Sequence, residues 1–286
     1  MTDHPGEPPA GNREPRNPPT PNREPGDGSA SVRDPSRGRG AVFGDGLRLA
    51  VTTLTVLPVR AGPVDRAAAA VAMSVAPAVG ALLGVALAAT LWLAREAGAP
   101  ALVAAGMTVA AAALLTRGMH LDGLADTIDA LGSYRTGPAA LEVMKKADIG
   151  PFGVAAIVLS LLLQTAALSG LGAAAVVTAF AAGRLAITVT CRRGIPAARP
   201  QGLGALVAQT VPAPVAAIIA ILVTAAATAT VPGRPWQGPA AVAAALLVVL
   251  TLDRHAVRRF GGVTGDVLGA ATELATTVAL ITLSLR

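Results

Sequence analysis

Cysteine, aromatic rings and charge are all scarce in this 286-residue chain. The single cysteine, Cys191, cannot build an internal disulfide framework, and no pattern around it supports a catalytic thiol. Aromatic residues make up 2% of the chain, with two Trp and one Tyr, so there is little material for stacking on bases. Charged residues make up 14%, against roughly 25% in soluble domains. A net charge of +6 is therefore a poor argument for nucleic acid, and none is expected as a partner. What fills the chain is Ala, Val, Leu and Gly, with 53% hydrophobic residues and 31 glycines. Such a composition excludes disorder over most of the length and disfavours a soluble enzyme.

The apolar residues are arranged in long uncharged runs, the mark of membrane-spanning helices. Seven candidate spans cover about 67–94, 99–116, 152–169, 173–190, 212–231, 238–252 and 266–285. Residues 43–60 are shorter and bracketed by Arg48 and Arg60, which suits a helix lying at the interface. The expected fold is all-α, a polytopic membrane helix bundle of about seven transmembrane helices, embedded in the lipid bilayer. Residues 41–286 form its catalytic domain.

Residues 1–40 differ from the rest. They hold nine of the 22 prolines, no Leu, Ile or Phe, and equal numbers of basic and acidic residues. A loose ten-residue period runs through Asn12-Arg13-Glu14-Pro15, Asn22-Arg23-Glu24-Pro25 and Val32-Arg33-Asp34-Pro35. This Pro/Arg-rich tail is expected to be disordered, since it has too little apolar surface to offset ordering. It also lacks the apolar region of a signal peptide.

Basic residues between the spans alternate in number. Nine arginines precede the first span, then the connections carry one, four, none, three, one and three basic residues in turn. The positive-inside rule places the N-terminus in the cytoplasm of a multi-pass plasma-membrane protein. The polar motifs fall on that same side, so the active face is expected to be cytoplasmic.

The sharpest motif is HLDGLADTID at 120–129. Asp122, Asp126 and Asp129 follow at i, i+4 and i+7, one face of a helix. Like charges this close destabilise one another unless a cation compensates them. Hard oxygen ligands suit Mg²⁺, which takes one or two carboxylates together with substrate phosphates. Asp266, at the start of the last span, offers a further ligand from a second helix. His120 beside these acids is a candidate acid–base residue. The alternative is an acidic helix face turned to water at a membrane end.

Four other features suit an anionic substrate. Lys145 follows Glu142 by three residues, before a Gly150-Pro151 break. Arg184 lies within an apolar run, where an ionisable group marks a functional site. Arg192, Arg193 and Arg199 precede a GLG turn at 202–204. GGVTGD at 261–266 leads into a helix start suited to phosphate, with Gly265 in the turn and Glu273 two turns into the span. Lys145, Arg184, Arg192, Gly265 and Glu273 are thus candidates for substrate binding. Snorkelling, topology signalling and structural burial are the plainer explanations for these residues.

Taken in order, LTVLPV at 54–59, HLDGLADTIDALGS at 120–133, LEVMKKADIGPFG at 141–153, GR at 183–184, GLG at 202–204 and GGVTGDVLGAATEL at 261–274 resemble the cobalamin synthase family, also called adenosylcobinamide-GDP ribazoletransferase. The resemblance covers residues 43–286. It implies a Mg²⁺-dependent membrane transferase. Such an enzyme joins adenosylcobinamide-GDP to α-ribazole, or its 5′-phosphate, and releases GMP. It also implies contacts with other cobalamin-assembly enzymes. In that reading Asp122 and Asp126 act at the metal and in catalysis, with Asp129 and Asp266 as further ligands and His120 or a carboxylate as base. Lys145-Lys146-Ala147-Asp148 departs from the family pattern, which reads basic residue, Asp, small residue, Arg. Two other classes remain open on sequence alone, a CDP-alcohol phosphotransferase and a cation-coupled transporter.

Overall fold

The computed structural model describes residues 1–2, 38–60 and 62–285. The tail expected to be disordered lies outside the described residues over 3–37, while Arg39 and Gly40 open the first helix. Every named element among the described residues is helical. The order is α1 (Arg39–Leu54), α2 (Arg66–Glu96), α3 (Ala101–Leu115), α4 (Met119–Gly132), α5 (Gly137–Val143), α6 (Pro151–Leu168), α7 (Ala173–Thr190), α8 (Leu203–Val207), α9 (Ala213–Ala226), α10 (Gln237–Phe260) and α11 (Gly265–Ser284).

All seven apolar runs are helices, but they are not seven equal spans. Five are long and apolar enough to cross a membrane, namely α2, α6, α7, α10 and α11. A sixth candidate is the pair α3 and α4, bent by 88° at the break between them. Two consecutive left-handed residues make that break, Arg117 at φ 56° and Gly118 at φ 64°. The Gly118 amide closes the turn on the Ala113 carbonyl at 2.7 Å. The remaining run gives a shorter apolar helix, Ala213–Ala229. Residues 43–60 give α1, which ends at Leu54 and packs along α2.

Small side chains let the helices approach closely. Gly80 and Gly84 on α2 lie against α7, where a Cβ on Gly84 would stand 2.7 Å from the Val177 Cα. Around them Leu87, Leu91, Val176, Leu185, Val242 and Leu280 fill a continuous core. Helix ends are tied by side chains from distant helices. Arg95, at the end of α2, donates to the carbonyls of Leu168, Ser169 and Leu171 beyond α6. Gln237, opening α10, donates to those of Thr282, Leu283 and Leu285 at the end of α11. Both meet the need of terminal carbonyls for donors.

Candidate active site

Helices α4 and α11 cross where each has a glycine. A Cβ on Gly123 would stand 2.7 Å from the Asp266 carbonyl oxygen and 3.1 Å from the Gly269 Cα. A Cβ on Gly269 would stand 3.2 Å from the Gly123 Cα. The crossing sets Asp122 and Asp126 of α4 near Asp266 in the first turn of α11, close enough for the three charges to interact. Thr264 caps α11 by accepting from the Val267 amide and donates from its hydroxyl to Asp266. That bond fixes the Asp266 carboxylate. The side chains of Asp122 and Asp126 make no hydrogen bond or ion pair among the described residues, and Asp122 is exposed.

Asp129 belongs to the same face but has another task. Its two oxygens accept from the amides of Gly150 and Gly153, at 2.7 and 2.9 Å. These amides lie at the N-terminus of α6, whose own N-cap, Gly150, has no side chain to satisfy them. The carboxylate also complements the positive end of the helix dipole. Asp129 is therefore a remote cap that ties α4 to α6.

A cavity of about 380 Å³ opens between α4, the segment after α5 and the start of α6. Asp126, Asp129, Arg135, Lys146, Asp148 and Phe152 line it. Asp126 thus belongs to both the carboxylate group and the cavity. Arg199 faces the same region. It lies near Asp126 and Asp266, and its Nη2 donates to the Leu141 carbonyl at 2.7 Å. Its buried Nε has no partner among the described residues. Arg259 pins the α4–α5 connection by donating to the Arg135 carbonyl at 2.9 Å.

Several expected site residues sit elsewhere. His120 is 3% exposed, with Nδ1 unpartnered among the described residues, in a small apolar pocket beside Met73, Ile187 and Leu268. It does not line the cavity, because helical spacing turns it to the packed side of α4. Lys145 pairs with Glu142 at 2.9 Å, both exposed, and this bond holds the Glu142 carboxyl below its ordinary range. Helix α5 stops at Val143, so Lys145 and Lys146 leave it in a turn, and Lys146 takes the cavity. Arg192 is taken up by Asp253 at 2.7 Å, and Asp253 also accepts from Thr190. Gly265 packs against Leu203 at the start of α11.

Arg184 and Glu273 lie within the bundle. Arg184 is 2% exposed, stacks over Phe180 at 5.2 Å, and leaves Nε without a partner among the described residues. Glu273 accepts from Gln164 at 2.9 Å, and Gln164 donates onward to Ser160 and Thr277. Both residues line a pocket of about 10 Å³, room for one water and no substrate. Cys191 is buried at the end of α7. Burial, with Asp253 adding to it, pushes the Cys191 thiol far up.

No group of three or more His, Cys, Asp or Glu among the described residues is placed to hold a metal ion by itself. Mg²⁺ is commonly bound by one or two carboxylates plus phosphates, and Asp122 and Asp126 offer oxygens free of protein partners. The residues fit the ion in that partial sense.

Of the cavity lining, Arg135 and Phe152 were not singled out as site residues by the sequence, while Lys146 and Asp148 stood out only as a departure from the family pattern, without assigned roles. Doubled lysines before an Asp were a signal that some of them serve an anion, but the register of the turn decides which.

Comparison with known families follows the same lines. A model of the cobalamin-5-phosphate synthase family matches residues 46–284. The chain is 39% identical over 261 residues to an adenosylcobinamide-GDP ribazoletransferase of Frankia casuarinae, covering 83% of this chain and 94% of that one. It is 40% identical over 250 residues to that of a Nocardioides species, covering 85% and 99%. It is 38% identical over 252 residues to that of Corynebacterium efficiens, covering 85% and 92%. No solved structure matches the chain.

Proposed function

The chain belongs to the cobalamin-5-phosphate synthase family, and from that membership we propose that it carries out the final step of cobalamin assembly for which its relatives are named. The reaction transfers the adenosylcobinamide phosphate of adenosylcobinamide-GDP to α-ribazole or its 5′-phosphate. The ribazole 3′-hydroxyl attacks the phosphorus on the cobinamide side. A P–O bond to ribazole forms, the P–O bond to GMP breaks, and the hydroxyl proton passes to a base.

One observation carries this reading. Asp126 stands between a group of carboxylates and a cavity lined by Arg135 and Lys146. Phosphoryl transfer needs positioning and charge neutralisation more than covalent work by the protein. Asp122 and Asp126, with Asp266 across the crossing, would hold Mg²⁺, which supplies Lewis-acid stabilisation of phosphate oxygens when bound. Lys146 and Arg135 would neutralise the remaining oxygens of the pyrophosphate. Arg199 offsets the carboxylate charges and holds the α5 segment against them. A carboxylate on this face takes the proton, since His120 is buried away from the cavity.

The four basic residues between α3 and α6, and the three each after α7 and at the end of α10, support a cytoplasmic active face in the plasma membrane. That face would receive water-soluble nucleotide substrates and meet the other assembly enzymes.

The test is direct. Purified protein is incubated with adenosylcobinamide-GDP, α-ribazole and Mg²⁺, and GMP and cobalamin are followed together. Equal amounts of both are expected. Folded protein that releases neither product would overturn the assignment.

A further inference from the structure

The end of the bundle away from the carboxylates carries a second, amphiphilic site. An apolar groove of about 620 Å³ runs between α2, α7 and α9, with Val75, Ala78, Ala81, Val177 and Leu222 among its walls. From Ala174 to Ala181 it follows α7 for about 10 Å at 1.5 Å per residue. Its polar atoms are already used. Ser74 donates to the Ala70 carbonyl, and Thr178 and Thr230 bond each other at 2.7 Å. The walls therefore present hydrocarbon and no unmet hydrogen-bonding side chain, which suits an alkyl chain.

The groove opens at one end into a more polar space of about 460 Å³. Ala174, Ala229 and Thr230 line both. Arg234 is the one charged side chain among the described residues lining this space. It is exposed, and its guanidinium makes no hydrogen bond or ion pair among the described residues. The N-terminus of α7 adjoins it, and the N-cap Gly172 supplies no side-chain acceptor. Trp236 stands beside this rim, 65% exposed, as aromatic side chains do at headgroup depth. The ends of α6 and α11 and the starts of α7 and α10 meet here, so the rim is at the opposite end from Asp126.

We propose that this groove and its rim bind one phospholipid with an anionic headgroup, its alkyl chain between α2, α7 and α9 and its phosphate on Arg234. The apolar walls select for a hydrocarbon chain. The lone cation, with no carboxylate among the described lining residues, selects for net negative charge.

The full-length chain in mild detergent, examined by native mass spectrometry with added phosphatidylglycerol or phosphatidylcholine, tests this. One phosphatidylglycerol per chain is expected to stay bound, at least about tenfold more than phosphatidylcholine. Arg234→Gln should abolish that preference. Ala78→Phe, made at an exposed position in the groove, should reduce retention of either lipid. Unchanged thermal unfolding of both variants verifies that they fold. Equal retention of the two lipids by the unaltered chain would overturn the proposal. So would retention indifferent to both substitutions, or displacement of lipid by a second copy of the chain. The readout is independent of turnover, so it stands or falls apart from the catalytic assignment.

Discussion

Gly123 and Gly269 lie back to back where α4 meets α11, and this contact brings Asp122 and Asp126 to Asp266. Any side chain at Gly123 must displace the Asp266 backbone. Gly123→Val is expected to cost about 1–3 kcal/mol of stability through overpacking. It should also lower turnover by more than the stability loss explains, because the helices carrying the carboxylates separate. Gly106→Ala, whose nearest neighbour would be 3.7 Å from the new Cβ, serves as the neutral control. Thermal unfolding and turnover of both variants in detergent check this.

Asp126 and Asp129 share a helix face but should respond differently to neutralisation. Asp126→Asn is expected to lower turnover on the order of 10²-fold or more, the scale of losing one electrostatic contact to the transition state, with little change in unfolding. Asp129→Ala is expected to destabilise the protein by about 1–3 kcal/mol, because it leaves the Gly150 and Gly153 amides unpaired. Hydrogen exchange should then rise at the first turn of α6. A stable Asp129→Ala protein with unaltered exchange there would contradict the capping role.

Neighbouring lysines should also part company. Lys146→Ala is expected to raise KM for adenosylcobinamide-GDP, since Lys146 lines the cavity. Lys145→Ala should leave kcat and KM near those of the unaltered protein, because its partner Glu142 is exposed. Steady-state kinetics at varied ionic strength separate the two.

Arg192 predicts a loss of folding rather than of binding. Arg192→Met strands the buried Asp253, and breaking a pair of this kind costs about 3–5 kcal/mol. Adding Asp253→Leu should recover much of that stability and the activity with it. Recovery of stability without activity would show that Arg192 also touches substrate.

Much of the architecture could be read from hydrophobic runs alone. Each of the seven runs is a helix, because uncharged stretches this long have few other ways to satisfy their backbone in lipid. Their number as spans was less legible. Arg117 and Gly118 turn the chain by 88°, and a left-handed arginine carries no sequence mark. At the site, the i, i+4, i+7 acids were visible as a face. Which of them is free for chemistry was not, since Asp129 is claimed by amides more than 20 residues away. The same holds for Arg192, whose carboxylate partner is on another helix. Arg184 and Glu273 stood out as charges inside spans, but only packing shows that the space between them is too small for a nucleotide.

The Gly123–Gly269 crossing joins α4, near the middle of the chain, to α11, the last helix among the described residues. During synthesis the ribosome delivers Asp122 and Asp126 long before Asp266 exists to face them. A chain cut ahead of residue 265 keeps Asp122 and Asp126 but lacks the carboxylate that α11 brings to them. Asp266 faces Asp122 and Asp126 only once α11 has packed against α4.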